Sequence, residues 1–109
     1  MPKAILAVFS NPASPEVEDE FNSWYDTIHL KELLAIPGVV SATRYRLAEG
    51  PQPTPPEHRY LALYELEAES GAVLAALGSR TTPPSPALDA ATARLVFWEP
   101  IGPVEPAAD

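Results

Sequence analysis

The sequence contains no cysteine. A disulfide framework, a thiolate metal site and a cysteine nucleophile are therefore excluded. Basic residues are scarce as well, because 7 lysines and arginines stand against 15 acidic residues and give a formal net charge of −8. A chain with this balance repels phosphate backbones and anionic lipid headgroups, so neither nucleic acid nor a membrane surface is an expected partner.

Long apolar runs are also missing. The apolar stretch from Ala4 to Phe9 is too short for the core of a signal peptide or for a membrane span, so we expect a cytoplasmic protein. Glycine-rich phosphate loops, serine nucleophile elbows and dinucleotide fingerprints are absent, and no cofactor is predicted. A length of 109 residues predicts one domain over residues 1–109.

The chain does contain four segments typical of strands and two typical of helices. The predicted strands cover residues 4–9, 39–47, 59–66 and 95–98, and the predicted helices cover 15–35 and 67–77. One or two helical turns are also expected within 87–93. Most of the 14 prolines lie in the loop 48–57, in the connector 81–86 and in the tail 100–109, which should be extended.

This order of elements predicts an α+β fold. Strand, helix, strand, strand, helix, strand is the ferredoxin-like βαββαβ arrangement, a four-stranded antiparallel sheet with both helices on one face. Strands one, three and four carry apolar residues on both sides, although an antiparallel sheet commonly leaves one face to water. We therefore expect a second copy of the chain to cover that face, which makes the protein a homodimer through its sheet.

The first predicted helix carries the densest group of reactive side chains. At 100° per residue, Asn22, Tyr25 and His29 form a polar row. This row flanks an apolar stripe made of Val17, Phe21, Trp24, Ile28 and Ala35. A polar row beside a buried stripe is typical of the border of a pocket for a small hydrophobic ligand.

Three of these helical residues are candidates for catalysis. His29 is the candidate acid or base because imidazole titrates near neutral pH, although a histidine near a helix end is also favoured by the helix dipole alone. Tyr25, one turn earlier, either donates to the same substrate oxygen or only packs its ring. Asp26 either orients His29 or is a solvated carboxylate.

Substrate binding is predicted for five further side chains, three of which lie on the first helix and the second strand. Asn22 either reaches a substrate carbonyl or lies exposed on the helix, and Trp24 is expected in the pocket wall or the core. Arg44 lies on a strand face shared with small apolar residues, where a cation needs a partner. It either binds an anionic ligand or forms an ion pair with Glu65 or Glu99.

The other two are tyrosines of the third strand. Tyr60 and Tyr64 flank Ala62 on one face and leave a gap above the alanine, which suits a small ring-shaped ligand or tight packing between subunits. No metal site is predicted, because the two histidines do not have metal-ligand spacing and His29 with Asp26 alone is a poor ligand set.

Several segments resemble one known superfamily. The runs 24–30 and 36–39 and the pair Arg44-Tyr45, with the strand order and chain length, resemble the dimeric α+β barrel superfamily, most closely its EthD-like branch. That branch carries an Asp-x-x-His-x-Pro motif, and residues 26–29 match its first part, with Lys31 in place of the proline. The resemblance implies a homodimer with sheets packed face to face and a small apolar pocket in each subunit. Its relatives include polyketide cyclases, lactone isomerases, quinone-forming monooxygenases and fungal dehydratases.

Together these features predict a cofactor-independent acid–base enzyme. It would be a lyase, isomerase or cyclase acting on a small hydrophobic carbonyl or polyketide-like compound, with His29 as base, Tyr25 as donor to the developing enolate and Asp26 orienting His29. Two alternatives stay open. One is a cofactor-free oxygenase of aromatic substrates, in which Trp24, Asn22 and Tyr25 matter more than His29. The other is a non-catalytic dimeric module that binds a hydrophobic small molecule.

Overall fold

The computed structural model describes residues 3–80 and 82–108; predictions that involve residues 1, 2, 81 and 109 fall in part outside these ranges. The strands are β1 (Ala4–Ser10), β2 (Val39–Arg46), β3 (Tyr60–Leu66) and β4 (Arg94–Trp98), and the helices are α1 (Glu18–Trp24), α2 (Leu30–Leu34) and α3 (Ser70–Gly78). A 3₁₀ turn (Pro15–Val17) precedes α1, and a single π-helical turn (Tyr25–His29) joins α1 to α2.

The four strands form one antiparallel sheet in the order β2-β3-β1-β4. Strand β1 is central, with Val8 opposite Ala62 on one side and Leu95 on the other. The predicted ferredoxin-like fold is therefore confirmed. The helical connections lead from β1 to β2 and from β3 to β4, whereas β3 follows β2 without a helix and pairs with it. Each helical connection therefore passes over one intervening strand, which places β3 and β1 in the centre of the sheet.

The core lies between one face of the sheet and the helices. Alternate strand residues point into it, as the period of two requires. Those from β1 and β3 are Ala4, Leu6, Val8, Ser10, Tyr60, Ala62, Tyr64 and Leu66. The helices contribute Phe21, Tyr25, Leu33 and Val73, so both helical layers cover the same face, as predicted.

The opposite face of the sheet, named the open face, carries the remaining strand residues. Its apolar members are Ile5, Ala7, Phe9, Tyr45, Leu61, Leu63, Val96 and Trp98. Trp98 is 58% exposed and Tyr45 is 49% exposed. An apolar face of this extent is unusual for an isolated antiparallel sheet.

The π-helical turn changes which side of the first helical segment is buried. The N–H of Leu30 donates to the carbonyl of Tyr25, five residues earlier instead of four. Because a π-helical turn contains one more residue than an α-helical turn, side chains four positions apart stay on the same side of the helix. The buried side chains of this segment are Phe21, Tyr25 and Leu33. Trp24 still packs against the core, but the predicted stripe at 100° per residue is wrong beyond it, because Ile28 and Ala35 are exposed.

Smaller differences from the prediction have local causes. A bulge between Val39 and Ser41 turns Val39 into the core and leaves Val40 exposed. Helix α3 begins at Ser70 because the N–H of Glu67 still extends the sheet by donating to the carbonyl of Gly38. No helix forms at 87–93, where Leu88 makes an isolated bridge with Pro12.

The last described residues, 99–108, contain no helix or strand, and Ile101 and Val104 in this segment are exposed. Among the helices of residues 3–80 and 82–108, none is long and apolar enough to cross a membrane.

Candidate functional site

A cavity of about 310 Å³, named the deep cavity, lies between the helical layer and the sheet. Its wall comes from β1, β4, the π-helical turn, α2, α3 and the connector 82–93. The polar side chains on this wall are Ser10, Tyr25, His29, Arg80 and Thr82, and the rest is aliphatic, mostly leucine. Such a volume and lining suit a small apolar ligand that a few polar groups orient.

The ring of His29 is held by its neighbours. It stacks on the indole of Trp24 with ring centres 4.6 Å apart, and the ring of Tyr25 lies perpendicular to it at 4.9 Å. Its Nδ1 lies 3.4 Å from Oε1 of Glu32, and the same oxygen lies 3.7 Å from Nη2 of Arg80. Burial penalises the imidazolium, so the pKa of His29 lies below its ordinary 6.5, although Glu32 opposes the shift. The ring is therefore neutral at pH 7 and able to accept a proton.

Three buried hydroxyl groups lie close together beside the deep cavity. Tyr25 and Tyr64 are 2% and 0% exposed, and Ser10 is 2% exposed. Burial raises the pKa of both tyrosines, while the hydroxyls of Ser10 and Tyr64 partly oppose the rise in the pKa of Tyr25. Both phenols therefore keep their protons at neutral pH and remain hydrogen-bond donors.

A second space of about 250 Å³, named the outer hollow, is lined by Asn22, Asp26, Arg44, Tyr45, Arg46 and Tyr60. The guanidinium of Arg44 donates to Oδ1 of Asp26 and to Oδ1 of Asn22, both at 2.8 Å. The hydroxyl of Tyr60 donates to Glu18 at 2.5 Å and accepts from Asn22 at 3.1 Å. These groups satisfy one another, so the charge of Arg44 is already balanced by Asp26.

Arg44 also lies over aromatic rings. Its Cζ is 4.4 Å from the ring centre of Tyr25 and 5.3 Å from that of Tyr60. Since Arg44 is directly opposite Ala62 in the sheet, its guanidinium takes the space that the sequence predicts as a gap above the alanine. The predicted ion pair of Arg44 with Glu65 or Glu99 is wrong, because the partner is Asp26.

The predicted row of Asn22, Tyr25 and His29 does not line one pocket. Tyr25 and His29 share the deep cavity because the π-helical turn places them on the same side. Asn22 belongs to regular α1, three residues from Tyr25, and its amide turns towards Arg44. Asp26 likewise pairs with Arg44 and makes no contact of its own that would orient His29.

The remaining residues that were predicted to bind substrate do not line the deep cavity, although two of them contact residues that do. Trp24 backs the His29 ring, Tyr60 belongs to the outer hollow, and Tyr64 is buried beside Tyr25. Their roles in substrate binding stay predictions.

Three residues of the site have no place in the prediction: Ser10 and Arg80, which line the deep cavity, and Glu32, which contacts His29 and Arg80. Ser10 has a signal in the sequence, because it follows Ala4, Leu6 and Val8 on the inward-facing side of β1, where a polar residue is out of pattern. Glu32 stands three residues after His29, which is a helical neighbour spacing. Arg80 has no such signal, because it follows the end of α3 and reaches the cavity only through the tertiary fold.

Within the described ranges, no group of three or more histidine, aspartate, glutamate or cysteine side chains is placed to hold a metal ion.

No protein-family model matches the sequence, and no curated protein matches it either. Three solved structures share the fold. The haem degrader MhuD of Mycobacterium tuberculosis, which has two haems in its active site, is 16% identical with a TM-score of 0.61, covering 94% of this chain and 99% of its own. HapK of Hahella chejuensis is 13% identical with a TM-score of 0.60, covering 96% and 99%.

The third structure is a monooxygenase from the gene ActVA-Orf6 of Streptomyces coelicolor, in complex with nanaomycin D. It is 17% identical with a TM-score of 0.54, covering 97% of this chain and 94% of its own. At these identities the likeness establishes the ferredoxin-like α+β fold alone, and the EthD-like branch is not confirmed.

The predicted reaction class does not agree with these neighbours. Those with a stated activity are a haem degrader and a monooxygenase, and none is a lyase, isomerase or cyclase. The prediction of such an enzyme is therefore wrong, and the comparison favours the oxygenase alternative. The geometry agrees that the predicted triad is incomplete, because Asp26 is paired with Arg44.

Proposed function

We propose that the chain is a cofactor-independent oxygenase of small aromatic phenols. The observation that carries the proposal is the deep cavity, an apolar space of about 310 Å³ with the neutral ring of His29 on its wall. The shared fold of a monooxygenase that binds nanaomycin D supports the reaction class. The substrate class follows from the lining, which suits a flat apolar ring and offers few polar contacts.

His29 is the proposed base. The carboxylate of Glu32 only accepts hydrogen bonds, so Nδ1 of His29 carries the proton in that contact and Nε2 carries the lone pair. Nε2 removes the phenolic proton and leaves an electron-rich aryloxide. Most of the wall around this anion is apolar and offers few proton donors, so its reaction with dissolved oxygen competes with simple reprotonation.

The overall reaction balances without an external reductant. A ring carbon of the aryloxide forms a bond to one oxygen atom and loses its hydrogen, and the O–O bond breaks. The second oxygen atom leaves as water with that hydrogen and the proton taken up by His29. A phenol and O₂ thus give a quinone and water, with the ring oxidised by four electrons and O₂ reduced by four.

Haem is the group that one of the fold neighbours binds, and the cavity fits it poorly. A volume of about 310 Å³ lies at the lower end of the range for small organic ligands, below what a tetrapyrrole needs. Arg80, the cation among the described lining residues, is already paired with Glu32, which leaves the haem propionates without a partner. His29 is moreover fixed against Trp24.

Oxygen uptake tests the proposal directly. We expect the protein to consume O₂ with hydroxynaphthalenes in the presence of a chelator, one O₂ for each quinone formed. His29→Gln should lower kcat/KM by about 100-fold or more, the usual effect of losing a general base. His58→Gln is the matched control, because His58 is the other histidine and lies outside the deep cavity. An unchanged rate in His29→Gln, or no uptake with any phenol, would refute the assignment.

We further propose that the open face is the contact between two subunits. Its support is the exposed apolar surface around Trp98 and Tyr45, which the helices leave uncovered. We also propose that the chain belongs to the EthD-like branch, on the basis of the match of residues 26–29 to the branch motif.

A further inference from the structure

The buried hydroxyls beside the deep cavity are unusual for their surroundings. The Tyr25 and Tyr64 hydroxyls have no hydrogen-bond partner among the described residues, although they are almost fully buried. Burying a phenol hydroxyl without a partner is unfavourable, because the group loses its bonds to water and gains none in the core. Phenylalanine at either position would fill nearly the same space without this loss.

The position of these hydroxyls indicates what their partner is. Tyr25 and Ser10 both line the deep cavity, so a molecule bound there lies beside them. Tyr64 is buried next to Tyr25. It lies on β3, two residues after Ala62, and points to the same core-facing side of the sheet. Ser10 and Tyr25 therefore add hydroxyl donors to a mostly aliphatic wall whose other polar side chains are His29, Arg80 and Thr82.

Arg44 strengthens Tyr25 as a donor. The guanidinium, which lines the outer hollow, lies 4.4 Å from the centre of the Tyr25 ring, which lines the deep cavity. A cation over the ring draws electron density from the phenol oxygen and makes its proton a better hydrogen-bond donor.

We propose that Ser10 and Tyr25 form a binding subsite for an acceptor oxygen of an aromatic ligand, a quinone or ketone carbonyl or a phenolate. Tyr64 is a positioning residue: once the Tyr25 proton points to the ligand, the neighbouring Tyr64 hydroxyl can donate to the Tyr25 oxygen. The subsite rests on the proposed function, since it selects the substrates and products of the same cavity. It deepens that function by requiring an oxygen at the Ser10 end of the ligand.

Binding without turnover tests the subsite. The probes are 1,4-naphthoquinone and naphthalene, which have similar rings and differ in their oxygens, titrated calorimetrically into the full chain. The chain has no cysteine thiol to react with the quinone. We expect the wild type to bind the quinone at least tenfold more tightly than naphthalene. Tyr25→Phe should reduce this preference roughly five- to tenfold, the worth of one buried hydrogen bond, and Tyr64→Phe should reduce it less.

Matched controls separate binding from folding. Tyr45→Phe makes the same chemical change on the open face and should leave the preference intact. Tyr25→Phe and Tyr64→Phe should melt no lower than wild type, because each removes an unpaired hydroxyl. Tyr60→Phe should melt lower, because the Tyr60 hydroxyl is bonded to Glu18 and Asn22.

The outcomes are distinct. A wild-type protein that binds both probes equally, or neither, overturns the subsite, and so does a Tyr25→Phe variant that keeps the full preference or weakens both probes alike. A retained preference for the quinone without oxygen uptake on any phenol refutes the oxygenase and leaves the subsite supported.

Discussion

Replacing Arg44 by methionine should destabilise the protein without removing its chemistry. Methionine keeps much of the aliphatic contact of the arginine stem but loses the guanidinium. The hydrogen bond to Asn22 is partly buried and charge-assisted, worth about 1.5–3 kcal/mol. The bond to Asp26 adds little, roughly 0–1 kcal/mol, because that carboxylate is 59% exposed. The contact with the Tyr25 ring adds about 0.5–2 kcal/mol.

These terms share one group and are not additive, so the expected loss in the free energy of unfolding is about 2–3 kcal/mol. For a domain of this size it corresponds to a fall in Tm of roughly 8–12 °C. Urea unfolding followed by tryptophan fluorescence, together with a thermal melt, measures both quantities. Asp26→Asn is the control and should cost less than about 1 kcal/mol.

The result that refutes this reasoning is a Tm for Arg44→Met within about 2 °C of wild type. The guanidinium would then not stabilise the fold, and the alternative in which Arg44 binds an anionic substrate would be favoured. A rise in KM with unchanged stability would support that alternative.

Three further predictions follow from particular contacts. Burial lowers the pKa of His29 below 6.5, so near that pH the unfolded chain binds a proton that the folded chain does not. The free energy of unfolding should therefore fall as pH drops from about 7 through 6.5. His29→Gln should flatten this slope in urea titrations. Gly38→Ala should destabilise by roughly 1–3 kcal/mol in the same assay, because Gly38 has a φ of +93° and an added Cβ collides with Ala68; an unchanged midpoint would contradict the strain. Leu63→Glu places a charge in the centre of the open face and should leave a folded monomer in sedimentation experiments, whereas a persistent dimer would locate the subunit contact elsewhere.

The sheet was predictable because strand patterns depend on local alternation. Tyr60, Ala62 and Tyr64 alternate with their neighbours in the sequence and point into the core in the structure, since the side-chain period of a strand is two regardless of its partners. Helix phase was not predictable in the same way. One π-helical turn at Tyr25–His29 changes the period locally, and the fixed angle of 100° then assigns Ile28 to the core and Tyr25 to its flank.

The candidate site shows the same division. The reactive side chains of the first helical segment are visible as a cluster in the sequence, but their partners come from distant parts of the chain. Arg44 on β2 forms hydrogen bonds with Asp26 and Asn22. Arg80 and Ser10, from distant parts of the chain, line the same cavity as His29. No local spacing encodes these contacts.

By itself, the sequence determined the order of the elements, the antiparallel sheet with helices on one face and the lack of thiol chemistry, because composition and short-range periodicity are properties of neighbouring residues. Only the tertiary structure decided that His29 and Tyr25 share a cavity while Asn22 and Asp26 do not. That choice depends on packing, since the buried helical face, the arginine from β2 and the hydroxyl of Ser10 must fit one space together.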